Sequence, residues 1–331
     1  MIRISRRSVH VATLALAVLG YCASGSTFAQ ATYPNKPVKI VLPYPAGGGS
    51  DAVARMIADK LQQTWGQPVV VDNKPGASGI IGTQQVVRTA ADGYTLLYHN
   101  TVLIQQPSMM EKLPYDPLKD LQPVTATLKT NNIFVVPASS PAKTLKEFID
   151  LARSQTAQGS YGSYGSYGIG SAAHLNGELF KQQTGLDLTH VAFQGSAPMI
   201  TNLIGNLLPS AFIDIPSALP HMKNLRPLAI AGTQRPPELS GVPTFTELGY
   251  KSFEPMGWHG LFLPAGTPST IAQKISKDVN AVLQMPDVQA RLKAMGVAPG
   301  GGTPEEFAQV IKADAAIYAD ITKAANIRIT Q

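Results

Sequence analysis

Residues 38–65 read VKIVLPYPAGGGSDAVARMIADKLQQTW. The apolar run Val38 to Leu42 predicts a strand that stops at Pro43, and Pro45-Ala46-Gly47-Gly48-Gly49 predicts a turn rich in backbone freedom. Ser50 stands where a helix cap is expected, and Val53, Ile57 and Leu61 recur at four-residue spacing as one apolar stripe. The unit is strand, glycine loop, helix N-terminus. Its unpaired N–H groups and the positive end of the helix dipole converge on one point in solvent, and such a point suits an anion. A turn that needs glycine only to change direction has the same letters, so the reading gains weight from a second loop of the same kind.

That second loop is Lys74-Pro75-Gly76-Ala77-Ser78-Gly79, after an expected strand Pro68 to Val71 and before a helix expected from Ser78. A third strand is expected from Tyr94 to Tyr98, ending at His99-Asn100. Pro114 to Pro123 marks a long connection. Asn132 to Pro137 then opens a second domain, and Thr144 to Glu147 has the side chains of a capping box. Three Gly-Ser-Tyr triplets from Gly159 to Tyr167 read as a small duplication in a strand-loop segment, too short for a solenoid. A helix from Ser171 to Gly185, a strand His190 to Phe193 and a loop Gln194 to Pro198 follow, and strands Ser210 to Ile215 and Leu225 to Ala231 complete a second parallel sheet. Trp258 to Pro264 is expected to return the chain to the first domain, where three helices close it. The last is capped by Thr303, with Pro304 first in the helix and Glu306 three residues after the cap.

Strand-helix alternation with short connections predicts parallel sheets flanked by helices, with ligands outside the carboxyl ends of the strands. Crossovers near Asn132 and Trp258 imply two lobes: residues 30–131 with 257–331, and residues 132–256. Such lobes can hinge shut on a ligand. At 331 residues the chain has length enough for both cores.

The first 29 residues read as a secretory signal peptide: Arg3, Arg6 and Arg7 precede the apolar run Val9 to Leu19, and Thr27-Phe28-Ala29 forms a cleavage site. Cleavage there removes Cys22, the one cysteine, and predicts a periplasmic protein without disulfides. Three of the six formal positive charges leave with the leader, so the mature chain carries about +3. With no Lys/Arg run and no aromatic-basic interleaving, nucleic acid is not an expected partner.

Four stretches together resemble one family: Pro43 to Asp51, Asn73 to Gly79, Tyr167 to Phe180 and Trp258 to Pro268. They are similar to the substrate-binding components of tripartite tricarboxylate transporters, the Bug-type periplasmic receptors, and the similarity runs from about Tyr33 to Ile327. The resemblance implies an α/β, two-lobed periplasmic binding protein fold of the type II, Venus flytrap kind, each lobe a mostly parallel sheet flanked by helices. It implies a monomeric receptor without cofactor or metal that captures a small carboxylate, a di- or tricarboxylate, an acidic amino acid or an aromatic acid, for a membrane permease. Carried over by position, Tyr44, Ala46, Gly48, Ser50 and Asp51 come from the first loop and Gly76, Ala77, Ser78 and Gly79 from the second. Asn100 ends the third strand, and Gly168, Gly170, Ser171, His174, Gly195, Ser196 and Asp214 come from the inner lobe. Gln194 and Asn202 depart from the family, which often has lysine and aspartate there.

Asp51 could touch a ligand amine or order its own loop, since the first turn of a helix favours an acid unaided. For His174 a structural hydrogen bond competes with ligand contact, and for Trp258 a packed hinge aromatic competes with a ring lining the cleft. The rival class is an exported enzyme. Gly47-x-Gly49-x-x-Ala52 with Asp72 fits a dinucleotide fingerprint on paper, but Pro43 and Pro45 separate strand from glycines, and Gly168-x-Gly170-x-x-Ala173 matches the same pattern. No strict G-x-S-x-G occurs, and the histidines after the leader have no metal-ligand spacing.

Overall fold

A computed structural model describes residues 33–110, 112–155, 161–253 and 257–324. The leader, its cleavage site and Cys22 lie outside the described residues. Contacts divide the chain into Met1–Asn35, of which three residues are described, and Lys36–Gln331, to which all that follows refers.

Strand β1 (Val38–Leu42) buries every residue but Lys39, the near-continuous apolar pattern of a strand covered on both faces. Helix α1 (Gly49–Trp65) buries Val53, Ile57 and Leu61 completely, so the expected stripe is its core face. The helix begins one residue earlier than its cap was expected. Gly48 is the N-cap with no side-chain hydrogen bond, and Ser50 lies inside the first turn. Asp51 closes the loop instead, its Oδ2 accepting from the Gly47 N–H at 3.1 Å.

The first lobe continues with β2 (Val69–Asn73), α2 (Ile80–Val87), β3 (Thr95–Asn100), α3 (Val102–Met109) and β4 (Leu121–Thr130). The elements of the second sheet and its helices follow: β5 (Asn132–Pro137), α4 (Leu145–Gln155), β6 (Ser163–Ser166), α5 (Ala172–Thr184), β7 (Thr189–Ala192), α6 (Ser196–Ile204), β8 (Ala211–Asp214), the single turn α7 (Ile215–Ala218) and β9 (Leu225–Ala231). The chain returns in β10 (Gly257–Pro264) and ends with α8 (Ser269–Leu283), α9 (Pro286–Ala294), β11 (Ala298–Gly301) and α10 (Pro304–Ala324). The box at α10 is reciprocal: Glu306 N donates to Thr303 Oγ1 at 3.2 Å, and Thr303 N to Glu306 Oε2 at 2.8 Å.

Two sheets result, ordered β11-β4-β10-β3-β1-β2 and β7-β6-β8-β5-β9. Both are mixed, and here the structure corrects the expected second parallel sheet. β6 pairs in parallel with β7 and β8, but β5 runs antiparallel to β8 and β9. β5 arrives from the first sheet, so Asn132, its first residue, stands beside the last residues of its neighbours, Asp214 and Ala231. β10 is likewise reversed against β3 and β4. Pro123 lies within β4 rather than in a connection: β11 pairs only with Ala126 to Lys129, so Pro123 is on an unpaired edge where the register with β10 also slips.

The second core is aromatic, with Phe134, Phe148, Phe180, Phe212, Phe245 and Phe253 fully buried and Phe134 ringed by three of them at 4.9 to 5.1 Å. The triplet repeat has a specific fit in it. β6 pairs Ser163 with Thr189 and Ser166 with Ala192, Tyr161 packs on Phe148, Tyr164 is fully buried, and Tyr167, just past the strand, donates to Asn132 at the start of β5. No described helix is long and apolar enough to cross a membrane.

Candidate functional site

The carboxyl ends of both sheets face each other, and the loops following them meet. From the first lobe, Tyr44, Pro45, Gly48, Gly49 and Ser50 line one wall of a narrow cavity, with Asn100 at the end of β3. Gly195, Ser196, Ala197, Asp214 and Ser217 line the wall opposite. The starts of α1, 17 residues long, and of α6, nine residues long, therefore face one cavity from opposite sides. By helix geometry the first N–H groups of each have no partner within the helix. Deeper in, Thr101, Thr130, Asn131, Asn132, Asn176 and Tyr318 continue the lining, and Asn100, Tyr167 and Asp214 belong to both parts. Neither part has a lysine or arginine in its described lining. An anion held here would rest on main-chain N–H groups, hydroxyls and side-chain amides.

The first loop is rigid for reasons the sequence shows only in part. Asp51, 6% exposed, accepts from Gly47 N, from Arg55 Nε at 3.1 and 3.0 Å and from Asn73 Nδ2 at 3.0 Å. These partners come from the loop itself, from the next turn of α1 and from the end of β2, so in the structure Asp51 orders its loop. Burial opposes ionisation of its carboxyl, but the hydrogen bonds from Arg55, Asn73 and Gly47, with the Arg55 charge, outweigh it and hold the group below its ordinary range. A depressed folded pKa stabilises above the unfolded value of about 3.9, and that stabilisation is lost as pH falls through the folded value. Asp51→Asn is accordingly expected to cost about 1–3 kcal/mol at pH 7. In chemical denaturation the gap to the unaltered protein should narrow as pH falls below about 4. A gap independent of pH would contradict the assignment.

Tyr44 donates to Asn100 Oδ1 at 3.0 Å, and Asn100 Oδ1 also accepts from Val102 N at 3.0 Å. Burial raises the phenol pKa of Tyr44 and of Tyr167, so both hydroxyls are protonated donors. Tyr167 donates to Asn132 Oδ1 at 3.1 Å. It was missed in the sequence although it immediately precedes the Gly168 motif, because nothing in a three-residue repeat marks which tyrosine leaves the core. Ser217, Asn131 and Asn132 were missed as well.

The second glycine loop lies beside the cavity, outside its described lining. Gly76, Ala77, Ser78 and Gly79 all have positive φ, at 136°, 46°, 53° and 95°, and Gln106 Nε2 fixes the loop by donating to Ser78 O at 3.0 Å. Its tip meets the inner lobe at Gly168, where a Cβ would stand 2.8 Å from Ser78 Oγ. Ala46 is exposed, and neither it nor Asp51 reaches the lining.

Gly168, Gly170, Ser171 and His174 form the buried turn into α5, and none of them lines the described cavity. Ser171 Oγ accepts from His174 N at 3.2 Å, and His174 Nδ1 accepts from Gly170 N at 3.2 Å. The His174 ring stacks on His190 at 3.9 Å, and burial lowers its pKa to about 4, so it is a neutral acceptor supporting the turn. Trp258, 3% exposed, donates to Asp314 Oδ2 at 2.9 Å, packs on Phe262 and Phe307 and also borders the cavity. Among the described residues no three His, Cys, Asp or Glu side chains are grouped to hold a metal ion.

Residues 53–327 match the model of the tripartite tricarboxylate transporter family receptor. Protein BugT of Bordetella pertussis is 35% identical over 279 residues, 83% of this chain and 85% of that one. A solved structure of Rpa4515 from R. palustris with adipate superposes with a TM-score of 0.83 at 32% identity, covering 89% of this chain and 99% of that chain. MatC from Rhodopseudomonas palustris with bound malate superposes with a TM-score of 0.82 at 29% identity, covering 87% and 99%.

Proposed function

Because this chain belongs to the tripartite tricarboxylate transporter receptor family, we propose that it captures a small carboxylate between its lobes outside the cytoplasm and delivers it to a membrane permease. The lobes are residues 30–131 with 257–331, and 132–256, working as a monomer after removal of the leader. The observation that carries the reading is the confrontation of two helix starts, Gly48 to Ser50 and Gly195 to Ala197, across a cavity without a basic side chain in its described lining. The ligand carboxylate takes N–H groups of the first loop, with Tyr44, Asn100, Ser196 and Asp214 around its body. Ala46, Asp51, Gly76 to Gly79, Gly168, Gly170, Ser171 and His174 hold those loops in place. The adipate and malate in the two similar structures support a carboxylate as the guest.

No chemistry is proposed. The strand order around β1 differs from that of a dinucleotide-binding sheet. Among the described residues the nearest approach to a nucleophile and base is Ser166 Oγ at 2.7 Å from His190 Nε2, yet Ser166 is fully buried and burial lowers the His190 pKa to about 3. Such an imidazole is too weak a base to activate a hydroxyl.

A thermal-shift screen over adipate, malate, acidic amino acids and aromatic acids tests the reading. A matching acid at a hundredfold excess over its Kd is expected to add about 2.7 kcal/mol to stability. No shift with any acid, beside a clear shift with a nicotinamide dinucleotide, would contradict it.

A further inference from the structure

One hydrogen bond ties the two walls of the cavity together directly. The Gly49 N–H, at the start of α1, donates to Ser217 Oγ at 3.0 Å. Ser217 is itself anchored, its N–H donating to Asp214 Oδ2 at 3.1 Å, and Asp214 Oδ1 accepts from the Ser196 hydroxyl at 2.6 Å. A single carboxylate, 8% exposed, thus gathers the start of α6 and the turn of α7, and through Ser217 it reaches the start of α1 in the other lobe. None of the ion pairs among the described residues involves Asp214. The dipole of the 17-residue helix α1, whose positive end faces it, supplies favourable charge from across the cavity.

The closeness of the approach depends on residue 49 being glycine. A Cβ there would stand 3.0 Å from Ser217 Oγ and 3.1 Å from both Asp214 Oδ2 and Pro216 Cβ. At the adjacent Gly48 a Cβ would meet nothing within 4 Å. The two neighbouring glycines therefore do different work: Gly48 borders open space in the cavity, whereas Gly49 borders the opposite lobe.

We infer that Gly49, Ser217 and Asp214 form a latch that holds the two lobes together, with Gly49 and Ser217 as positioning residues for closure. The inference deepens the receptor reading and rests on it, since closure matters only if the cleft takes a solute. The latch consists of protein atoms alone, so it contributes to closing whatever the solute is. It also sets the solute's place: with the Gly49 N–H taken, the amides of Gly48 and Ser50 remain for a ligand carboxylate.

The test is an interlobe distance in the full chain with no solute added. Spin labels at Gln63→Cys and Thr201→Cys, both exposed and one in each lobe, on a Cys22→Ser background, report it by pulsed electron resonance. The unaltered latch should show a population at the short distance of this structure. Ser217→Ala should lower the ratio of short to long distances about fivefold, the effect of one net hydrogen bond. Gly49→Ala, whose Cβ would press on Ser217, Asp214 and Pro216, should lower that ratio as well. Distance distributions identical in all three proteins, or no short population with the latch intact, would overturn the inference. Because no solute enters the measurement, a failure here is separate from a failure of the thermal-shift screen.

Discussion

Gly48→Val is expected to weaken carboxylate binding by about two orders of magnitude while leaving the protein folded. Residue 48 is the N-cap of α1, with φ −84° and ψ 172°, an extended conformation that valine adopts without strain. A Cβ there meets no atom within 4 Å, so the substitution fills cavity space without displacing protein. Its methyl groups would cover the N–H groups proposed to hold the ligand. Losing one or two hydrogen bonds to a charged group, each about 1.5–3 kcal/mol, corresponds to roughly a hundredfold in affinity. The stability cost is that of a poorer N-cap, about 1 kcal/mol. Titration calorimetry with the acid found by thermal shift, beside circular dichroism of both proteins, reads the two effects apart. Retained affinity would reduce the loop to a turn.

Gly177→Ala is expected to act in the opposite way, on the fold first. Gly177 lies in α5 directly against the ring of Tyr164, and a Cβ would overlap that ring. Tyr164 has no room to yield. It is fully buried, donates to Glu178 Oε1 at 2.7 Å and stacks on His190 at 5.0 Å. Overpacking of this kind costs about 1–3 kcal/mol. A loss of that size should appear as a fall of several degrees in the thermal midpoint, at about 2–4 °C per kcal/mol. Because β6 leads into Tyr167 and the Gly168 turn, ligand affinity should fall with it. An unchanged midpoint would mean that α5 rides further from β6 than the structure places it.

The two variants mark which parts of the molecule local sequence could reveal. A strand ending in prolines and glycines before a four-residue apolar stripe has a local cause, and β1 and α1 form where expected, with the cap at Gly48 instead of Ser50. So do the Thr303 cap and the three closing helices. β4 and β11 were not foreseen, because Pro123 signals a break unless its edge position is known, and Ala298 to Gly301 carries no apolar alternation. Ser50 was displaced as the cap because an acid one residue later closed the loop first.

The site divides along the same line. Gly48 and Ser50, Gly195 and Ser196, Asn100 and Asp214, singled out with the help of the family resemblance, lie at strand ends or helix starts, and the structure brings them to one cavity. Ser217 meets Gly49 across 168 residues of chain, and no local pattern records such a meeting. The second glycine loop shows the limit of pattern from the other side. Its residues take the positive φ that its glycines suggest, and its tip lies against Gly168, outside the described lining.

The central claim is that main-chain N–H groups at helix starts, without a basic side chain, hold the carboxylate of the guest. Amide resonances of ¹⁵N-labelled protein, followed while the acid found by thermal shift is titrated, test this most directly. The account predicts saturable shifts that are largest at Gly48, Ser50 and Ser196, with no comparable change at any arginine or lysine side chain. Shifts that leave these amides in place and centre on a basic side chain would contradict it.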